Sequence, residues 1–205
     1  MNAPPLPSWR IVLASASPRR RQLLEGLDLP LRTVPLDVDE SPPEGLAPQD
    51  VAEHLAVRKA MAYTAPLAAD EVLVAADTTV LLEDPGGSGA ALLLNKPVDA
   101  ADARRMLALL SGRTHRVVTG VCLRTAGRTV HFSDVAHVTF RALDEAEIAY
   151  YVERHRPLDK AGAYGVQDWI GYTAVARIEG SFYTVMGLPM HRLYLALRDL
   201  SPPRP

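Results

Sequence analysis

Short apolar runs alternate along this chain of 205 residues with segments in which apolar residues recur every three or four positions. The continuous runs at 11–14 and 72–76 have the length of buried strands, and the second run ends at Asp77. Apolar runs bounded by turn residues predict further strands, at 31–34, 79–82, 91–94, 117–124, 129–140 and 170–178. Helical spacing predicts helices, one starting at Pro18 and others over 48–63, 99–110, 144–154 and 188–200.

Helices and strands alternate, but hairpins interrupt the alternation. The stretch 83–90 (EDPGGSGA) places turn residues between two predicted strands. This mixture predicts an α/β fold with a mixed, twisted sheet and flanking helices rather than a purely parallel sheet. No internal repeat or low-complexity linker divides the sequence, so we expect a single domain over 1–205, with a Pro-rich tail after residue 200.

The charges of the chain are nearly balanced. Lys and Arg number 22 and Asp and Glu number 24, which gives a formal net charge of −2. A general nucleic-acid binder usually has a basic surplus, so we expect no nucleic-acid partner. A local basic pocket for a small anion is compatible with this balance, because net charge does not report how charges are distributed.

Cysteine content and hydropathy restrict the cellular setting. The only cysteine, Cys122, excludes an intramolecular disulfide, and its position within a predicted strand favours a packed thiol over a nucleophile. The first ten residues are Pro-rich without an apolar signal core, and the apolar runs are too short to span a bilayer. We therefore expect a cytoplasmic protein with no membrane partner.

The first strand is followed by a turn with the residues of an anion site. Ser17 is a good N-cap, and Pro18 suits the first helical position, where its missing N–H is not needed. The free N–H groups of a helix N-terminus, together with Arg19 and Arg20, suit phosphate oxygens. Taken alone, this turn is more often a capped helix with two solvated arginines.

Other polar residues each allow a functional and a structural interpretation. Asp77 at a strand end suits Mg²⁺ binding or proton transfer, but an aspartate there also caps turns. Lys59 and Lys96 suit phosphate contacts or a solvated surface. A structural hydrogen bond is favoured for His115. The two glycines of 159–167 (DKAGAYGVQ) suit either a close backbone approach to a ligand or a tight loop.

Taken together, these segments resemble the Maf family of nucleotide pyrophosphatases. No Walker A, G-x-S-x-G or G-x-G-x-x-G pattern occurs, and each segment alone is a weak signal. Seven segments occur in family order between residues 11 and about 195. They are 13–20 (LASASPRR), 58–60 (RKA), 76–78 (ADT), 96–97 (KP), 111–117 (SGRTHRV), 159–167, and 180–181 (GS) leading to 185–189 (VMGLP).

The resemblance implies two lobes around a cleft, as in the inosine triphosphate pyrophosphatase group. It implies metal-dependent hydrolysis of nucleoside triphosphates to monophosphate and pyrophosphate, with Mg²⁺ as the usual cation and Mn²⁺ as an alternative. Asp77 matches the catalytic carboxylate, which also holds the metal, and Glu40 matches a second acidic residue of the metal site. The implied phosphate-binding residues are Ser15, Arg19, Arg20, Lys59 and Lys96.

Three residues resemble the branch of the family that prefers dTTP and UTP: Arg19, Thr78 and Gln167. The branch that prefers 7-methyl-GTP has tryptophan in place of Arg19 and an acid in place of Gln167, as a cationic base favours. A glutamine matches a neutral pyrimidine imide in either direction, because it both donates and accepts hydrogen bonds. The sequence departs from the family pattern in two places. One is the insertion at 84–90, and the other is Trp169, in a stretch that is often richer in glycine.

The resemblance also implies a housekeeping role, the removal of noncanonical nucleotides, and a link to the arrest of septum formation and cell division. Two other functions stay open. One is a 7-methyl-GTP pyrophosphatase, and the other is a non-catalytic regulator of septum formation that binds a nucleotide. A homodimer is common among such folds, but no apolar stripe of the sequence identifies an interface.

Overall fold

The computed structural model describes residues 8–83 and 91–200, and within these ranges seven strands form one mixed sheet. The strands are β1 (Arg10–Leu13), β2 (Leu31–Thr33), β3 (Glu71–Glu83), β4 (Ala91–Leu94), β5 (Thr114–Arg124), β6 (Thr129–Phe140) and β7 (Val175–Glu179). Their order is β2-β1-β3-β5-β6-β7, with β4 also paired to β3. Only the pairs of β1 with β2 and β3 are parallel among these strands.

Seven helices flank the described sheet. They are α1 (Pro18–Glu25), α2 (Val51–Ala62), α3 (Ala100–Leu110), α4 (Glu145–His155), α5 (Trp169–Ala174), α6 (Phe182–Met186) and α7 (Met190–Leu200). Single 3-10 turns at Pro48–Asp50 and Ala161–Ala163 complete the helical elements. The prediction of an α/β fold with a mixed sheet and flanking helices is therefore confirmed.

Two apolar clusters occupy opposite ends of the long central strand β3. Val72 and Val74 belong to a cluster that includes β1, α1 and α7. Val80 and Leu82 belong to a second cluster, which includes α3, α4 and α5. The molecule thus has two lobes that share β3 and β5, and the segment of β3 between the clusters carries Asp77.

Strand β3 corrects one prediction of the sequence. The runs 72–76 and 79–82 were expected to be separate strands, with Asp77 at the end of the first, but a single strand of 13 residues spans both. The backbone stays extended through Asp77 and Thr78 because these residues pair with Gly120 and Thr119 of β5. The prediction from apolar content placed the strand end too early. Backbone hydrogen bonds to a neighbouring strand keep polar residues extended as well as apolar ones.

The opposite edge of β3 explains why Asp77 is nevertheless accessible. On that edge β1 pairs with β3 only as far as Val74, and β4 pairs with it only from Val80 onward. Asp77 lies between these two partners. It therefore has the position of a residue beyond the carboxyl end of β1, which is where α/β sheets usually carry functional groups.

The strand predicted at 170–178 is also partly wrong, because its first half is helix α5 and only its second half is β7. Ile170 and Ala174 are buried four positions apart, which is the helical period, and Asp168 precedes the helix. The proposed insertion 84–90, the N-terminal residues 1–7 and the Pro-rich tail 201–205 lie outside the described residues.

Helix α2 packs closely on β5 at a glycine. A Cβ atom built on Gly120 would lie 2.3 Å from the backbone nitrogen of Glu53 and 2.4 Å from the carbonyl oxygen of Ala52. Gly120 is also the cross-strand partner of Asp77. The missing side chain therefore lets α2 approach the sheet beside Asp77, and the same buried face of α2 carries Lys59.

We expect Gly120→Ala to lower the free energy of unfolding by about 3 kcal/mol, because the added methyl group meets backbone atoms that cannot move independently. Urea denaturation followed by circular dichroism measures this change. Gly127→Ala is the matched control, since a Cβ there meets no atom within 4 Å, and its effect should stay below about 1 kcal/mol. Equal stability of the two variants would contradict the close approach of α2.

Candidate active site

A cleft of about 380 Å³ opens where the edge of β3 is uncovered. One side is lined by residues 14–20, which form the turn before α1 and the start of that helix. Lys59 of α2 and Asp77 and Thr78 of β3 also line the cleft. The segments 159–167 and 185–187 close the other side. With Glu40 and Lys96, polar side chains from six separate parts of the chain therefore meet in one concave site of the size that small ligands occupy.

Lys59 joins two carboxylates at the floor of this cleft. Its Nζ atom lies 2.5 Å from Oδ1 of Asp77 and 2.7 Å from Oε1 of Glu40. Lys59 and Asp77 are 9% and 8% exposed, which makes them a buried ion pair. Lys59 balances the charge of one of these carboxylates, and a second lysine balances the charge of Glu40.

Glu40 links this buried pair to a second lysine. Its Oε2 atom accepts a hydrogen bond of 2.6 Å from Nζ of Lys96. Partial burial of Glu40 disfavours its charged form, but the hydrogen bonds from Lys59 and Lys96 outweigh burial and lower the pKa of Glu40 to about 2. Glu40 is therefore ionised at neutral pH and contacts Lys59 at the floor and Lys96 at the rim of the cleft.

Arg20 lies half-buried on the other side of β3 and is held by neutral acceptors. Its Nε donates to the carbonyl of Gly187 at 2.9 Å, its Nη2 to Oγ1 of Thr78 at 3.1 Å and its Nη1 to Oγ of Ser15 at 3.4 Å. Burial lowers the pKa of Arg20, but a guanidinium stays charged. These three hydrogen-bond acceptors are uncharged, so Arg20 keeps a positive charge available for an anion, although Asp77 and Glu40 lie near enough to act on that charge.

The turn before α1 has the predicted cap. Ser17 accepts a hydrogen bond of 3.5 Å from the backbone N–H of Arg20, and Pro18 begins the helix. The Oγ atom of Ser15 accepts from the backbone N–H of Ser17 at 3.1 Å. Both serine hydroxyls thus order the turn, and they place Ser15 and Arg19 in the lining of the cleft.

Arg19 reaches across the cleft to a segment whose charged residues the sequence did not single out. Its Nη1 lies 3.1 Å from Oδ2 of Asp159, and the carboxylate of Asp159 also accepts from Lys160 at 2.7 Å. The Nζ atom of Lys160 lies 3.6 Å from Oδ2 of Asp168. The Asp-Lys pair that begins 159–167 is the signal from which these charges could have been found.

The three residues predicted to set base preference line the same cleft. Arg19 and Thr78 lie on the side of α1, and Gln167 lies on the opposite wall. The Nε2 atom of Gln167 donates a hydrogen bond of 2.9 Å to Oδ1 of Asp168. The structure therefore brings together all of the predicted residues: Ser15, Arg19, Arg20, Glu40, Lys59, Asp77, Thr78, Lys96 and Gln167.

The sequence of residues 10–200 matches the protein family described as Maf-like protein. The chain belongs to the Maf-like family. A dTTP/UTP pyrophosphatase of Porphyromonas gingivalis is 49% identical to it over 95% of this chain and 96% of its own length. Proteins of the same name from Bacteroides fragilis and Flavobacterium johnsoniae are 48% and 40% identical over 95% of this chain, with 98% and 97% of their lengths covered.

A comparison of structures finds the Ham1 protein of Staphylococcus aureus, which is 17% identical to this Maf-like protein. The alignment covers 64% of this chain and 71% of that one, with a TM-score of 0.39. A score of that size does not establish a shared fold, so similarity to the inosine triphosphate pyrophosphatase group stays a prediction. Over residues 8–83 and 91–200, no helix is long and apolar enough to cross a membrane.

Three threonines of this Maf-like protein form a chain of hydrogen bonds behind Arg20. The hydroxyl of Thr119 donates to the carbonyl of Thr184 at 2.8 Å, and it lies 2.9 Å from the hydroxyl of Thr78. A carbonyl only accepts, and each hydroxyl has one proton. Thr119 must therefore accept from Thr78, which in turn accepts from Arg20. The direction of every bond in the chain is fixed.

The two carboxylates of the floor fit a metal that is shared with a ligand. Mg²⁺ is usually held by one or two carboxylates together with phosphate oxygens and water. Asp77 and Glu40 provide two such groups, and because Lys59 and Lys96 contact both oxygens of Glu40, a cation would bind Glu40 in place of one of these lysine contacts. Among the described residues, no group of three or more His, Cys, Asp or Glu side chains is placed to hold a metal alone.

Two other candidates have the structural roles that were predicted for them. His115 is buried, its Nε2 lies 2.8 Å from the hydroxyl of Tyr164, and burial lowers the pKa of His115 to about 3. Cys122 is a buried thiol on β5, and burial raises its pKa to about 11. A neutral imidazole and a protonated thiol at these positions suit packing rather than catalysis, so both predictions are confirmed.

We expect Thr119→Val to weaken the binding of pyrophosphate about tenfold, because Thr78 loses its acceptor and is then no longer held to accept one of the three hydrogen bonds that position Arg20. Isothermal titration calorimetry with inorganic pyrophosphate measures this effect. Thr119→Ser keeps the hydroxyl and is the matched control, with near-native affinity expected. If both variants bind pyrophosphate like the unmodified protein, the threonine chain does not position Arg20.

Proposed function

We propose that this Maf-like protein hydrolyses nucleoside triphosphates, preferentially dTTP and UTP, to the nucleoside monophosphate and pyrophosphate. The observation that carries the proposal is the carboxylate of Asp77, held by Lys59 at the floor of a cleft whose walls carry Arg19, Arg20 and Lys96. Relatives that are 40–49% identical over 95% of the chain are named dTTP/UTP pyrophosphatase, and this supports the proposal.

In this mechanism Asp77 acts as the proton acceptor. A water molecule between Asp77 and the α-phosphate loses a proton to the carboxylate as its oxygen attacks the α-phosphorus. The bond from that phosphorus to the α–β bridging oxygen breaks, and pyrophosphate leaves. Lys59 donates a hydrogen bond to the Asp77 carboxylate and holds it in place for this proton transfer.

The cations of the cleft bind the triphosphate. Arg20 donates its hydrogen bonds within the described structure to neutral acceptors, so its charge is available to phosphate oxygens, and Lys96 reaches them from the rim. These groups stabilise the charge that builds up on the leaving pyrophosphate, and such electrostatic stabilisation usually contributes most to catalysis of this kind. Asp77 and Glu40 would hold a divalent cation, Mg²⁺ or Mn²⁺, whose charge neutralises phosphate oxygens when it is bound.

The two other functions make different demands on the cleft. A non-catalytic regulator does not need a buried carboxylate beside the phosphate-binding cations, and Asp77 therefore favours hydrolysis. A cationic 7-methylguanine base is a poor match for a site where Arg19 supplies positive charge, so Arg19 and Gln167 favour a neutral pyrimidine. The proposal includes a cytoplasmic housekeeping role in clearing noncanonical nucleotides, with cell-division arrest as a further consequence to be tested.

We expect Asp77→Asn to reduce kcat for dTTP by about 100- to 10,000-fold, because an amide does not accept the proton of the attacking water. Pyrophosphate release across a panel of nucleoside triphosphates measures this loss. Asp70→Asn is the control, since Asp70 pairs with Arg10 at the surface and should leave turnover unchanged. Full activity in a folded Asp77→Asn protein would exclude Asp77 as the proton acceptor.

The same panel separates the alternatives. Faster pyrophosphate release from 7-methyl-GTP than from dTTP and UTP would support the proposed reaction and contradict the proposed base preference. If a folded protein hydrolyses no nucleotide with any divalent cation, while it still binds one in calorimetry, the regulator function becomes the better description.

We expect EDTA to abolish pyrophosphate release and excess Mg²⁺ to restore it. Glu40→Gln should raise the Mg²⁺ concentration required for half-maximal rate by about tenfold, because the site loses one anionic oxygen ligand. Glu44→Gln, at an exposed position of the same loop, is the matched control and should leave this concentration unchanged. Undiminished turnover in EDTA would show that hydrolysis needs no divalent cation.

A further inference from the structure

A row of polar side chains crosses three strands on the face of the sheet that carries helix α6. Thr78 of β3 is the cross-strand partner of Thr119 of β5, and Thr119 is in turn the partner of Asp134 of β6. Residues directly opposite each other in antiparallel strands point to the same face. The row begins at the uncovered edge of β3, where Thr78 accepts a hydrogen bond from Arg20, and it ends at Asp134.

Thr184 of α6 bonds to two members of this row. Its hydroxyl donates a hydrogen bond of 2.5 Å to Oδ2 of Asp134, and its carbonyl accepts one of 2.8 Å from the hydroxyl of Thr119. An ionised carboxylate accepts hydrogen bonds and donates none, so Thr184 is the donor to Asp134. Thr184 is completely buried, and a hydrogen bond to a charged group is roughly twice as strong as one between neutral groups. Asp134 therefore anchors α6 to the sheet.

Helix α6 in turn holds Arg20 by two routes. The carbonyl of Gly187, the residue that ends α6, accepts directly from Nε of Arg20 at 2.9 Å. The carbonyl of Thr184 fixes the hydroxyls of Thr119 and Thr78, and Thr78 accepts from Nη2 of Arg20. The N–H of Gly187 also bonds to the carbonyl of Thr184 at 3.1 Å, which links the two routes. A displacement of Thr184 would therefore change both contacts of Arg20.

Arg192 of α7 balances the charge of Asp134 from the side opposite to α6. Its Nη1 lies 3.5 Å from Oδ1 of Asp134 and also donates to the carbonyl of Ser133. The guanidinium lies over the ring of Phe132, 4.7 Å from the ring centre. The side chain of Asp134 is only 16% exposed, and a charged group that is largely removed from water is costly unless it is paired. The two oxygens of Asp134 thus face two different helices, and the carboxylate is held in place.

We propose that Asp134 is a positioning residue for Arg20. By accepting from Thr184 it fixes α6, and α6 fixes the direction in which Arg20 presents its charge to the phosphates of a bound nucleotide. Asp134 itself lies outside the described lining of the cleft, so its effect on a ligand passes through Arg20. This inference rests on the proposed function, in which Arg20 binds phosphate oxygens.

The first test removes the hydroxyl that Asp134 accepts from. Thr184→Val keeps the shape and the carbonyl of the residue, and the dissociation constant for inorganic pyrophosphate should rise about tenfold in isothermal titration calorimetry. Thr184→Ser is the conservative variant, which keeps the hydroxyl and should restore the affinity to within about threefold of the native value. Native affinity in a folded Thr184→Val protein would overturn the positioning role.

The second test changes the carboxylate. Asp134→Ala should also raise the dissociation constant for pyrophosphate about tenfold, whereas Asp134→Asn keeps an acceptor oxygen for Thr184 and should stay within about threefold. Asp199→Ala is the matched control, because Asp199 forms an exposed ion pair with Arg198 on α7 and its loss should leave the affinity unchanged. An equal loss of affinity in Asp134→Ala and Asp199→Ala would assign the effect to net charge and overturn the proposal.

A double-mutant cycle with Arg20→Lys distinguishes positioning from a purely structural role. Lysine keeps a charge for pyrophosphate but lacks the forked donors that bond to Gly187 and Thr78. If Asp134 acts through Arg20, adding Asp134→Ala to Arg20→Lys should change the dissociation constant by less than about twofold. A further loss of about tenfold in that background would overturn the proposal. Circular dichroism confirms that each variant is folded, and Thr184→Val replaces Asp134→Ala in the cycle if the latter does not fold.

Separate measurements of binding and hydrolysis distinguish this inference from the proposed function. If the unmodified protein hydrolyses neither dTTP nor UTP but binds pyrophosphate with the expected dependence on Asp134, the proposed function fails and the inference stands. If the protein hydrolyses these nucleotides while Asp134→Ala binds pyrophosphate with native affinity, the function stands and the inference fails. Absence of pyrophosphate binding by the unmodified protein would overturn the inference as well, because Arg20 would then have no phosphate to bind.

Discussion

The site depends on the bridge that Lys59 makes between Asp77 and Glu40. A lysine and an aspartate that are both more than 90% buried are costly to remove from water, and their contact compensates that cost only when the geometry is close. The contacts of 2.5 and 2.7 Å meet this condition. Removing Lys59 would leave the buried carboxylate of Asp77 without this partner, whereas removing Asp77 would leave Lys59 paired with Glu40, so Lys59 is the residue that holds the floor of the cleft together.

The sheet makes this bridge accessible because its edge strands are short. Successive residues of a strand point to opposite faces, so Asp77 contacts α2 on one face while Thr78 contacts Arg20 on the other. In the middle of a continuous sheet, strands on both sides of β3 would prevent one ligand from contacting groups on both faces. Here β1 ends and β4 has not begun, and a single ligand can therefore contact groups from both faces at one open edge.

Local signals in the sequence were sufficient for most of the fold and for part of the site. Alternation, turn residues and the Ser17–Pro18 cap predicted the mixed sheet and the start of α1 correctly. Lys59 follows Leu55 and Ala56 by four and three positions, so its place on the buried face of α2 was readable from helical spacing. The end of the strand at Asp77 was misplaced, because it depends on β5, a strand whose pairing no local pattern encodes.

The orientation of Gln167 was beyond sequence reasoning for a different physical reason. The oxygen and nitrogen ends of a side-chain amide are nearly identical in shape, and only neighbouring groups decide which way each end points. Asp168 is adjacent in sequence, yet adjacency does not imply contact, since neighbouring side chains in extended segments diverge. The contact forms because the chain turns at Gly165 just before α5. The orientation of a neutral side chain in the wall of the cleft is therefore set by a charged neighbour, and a motif that records only the neutral residue does not contain that information.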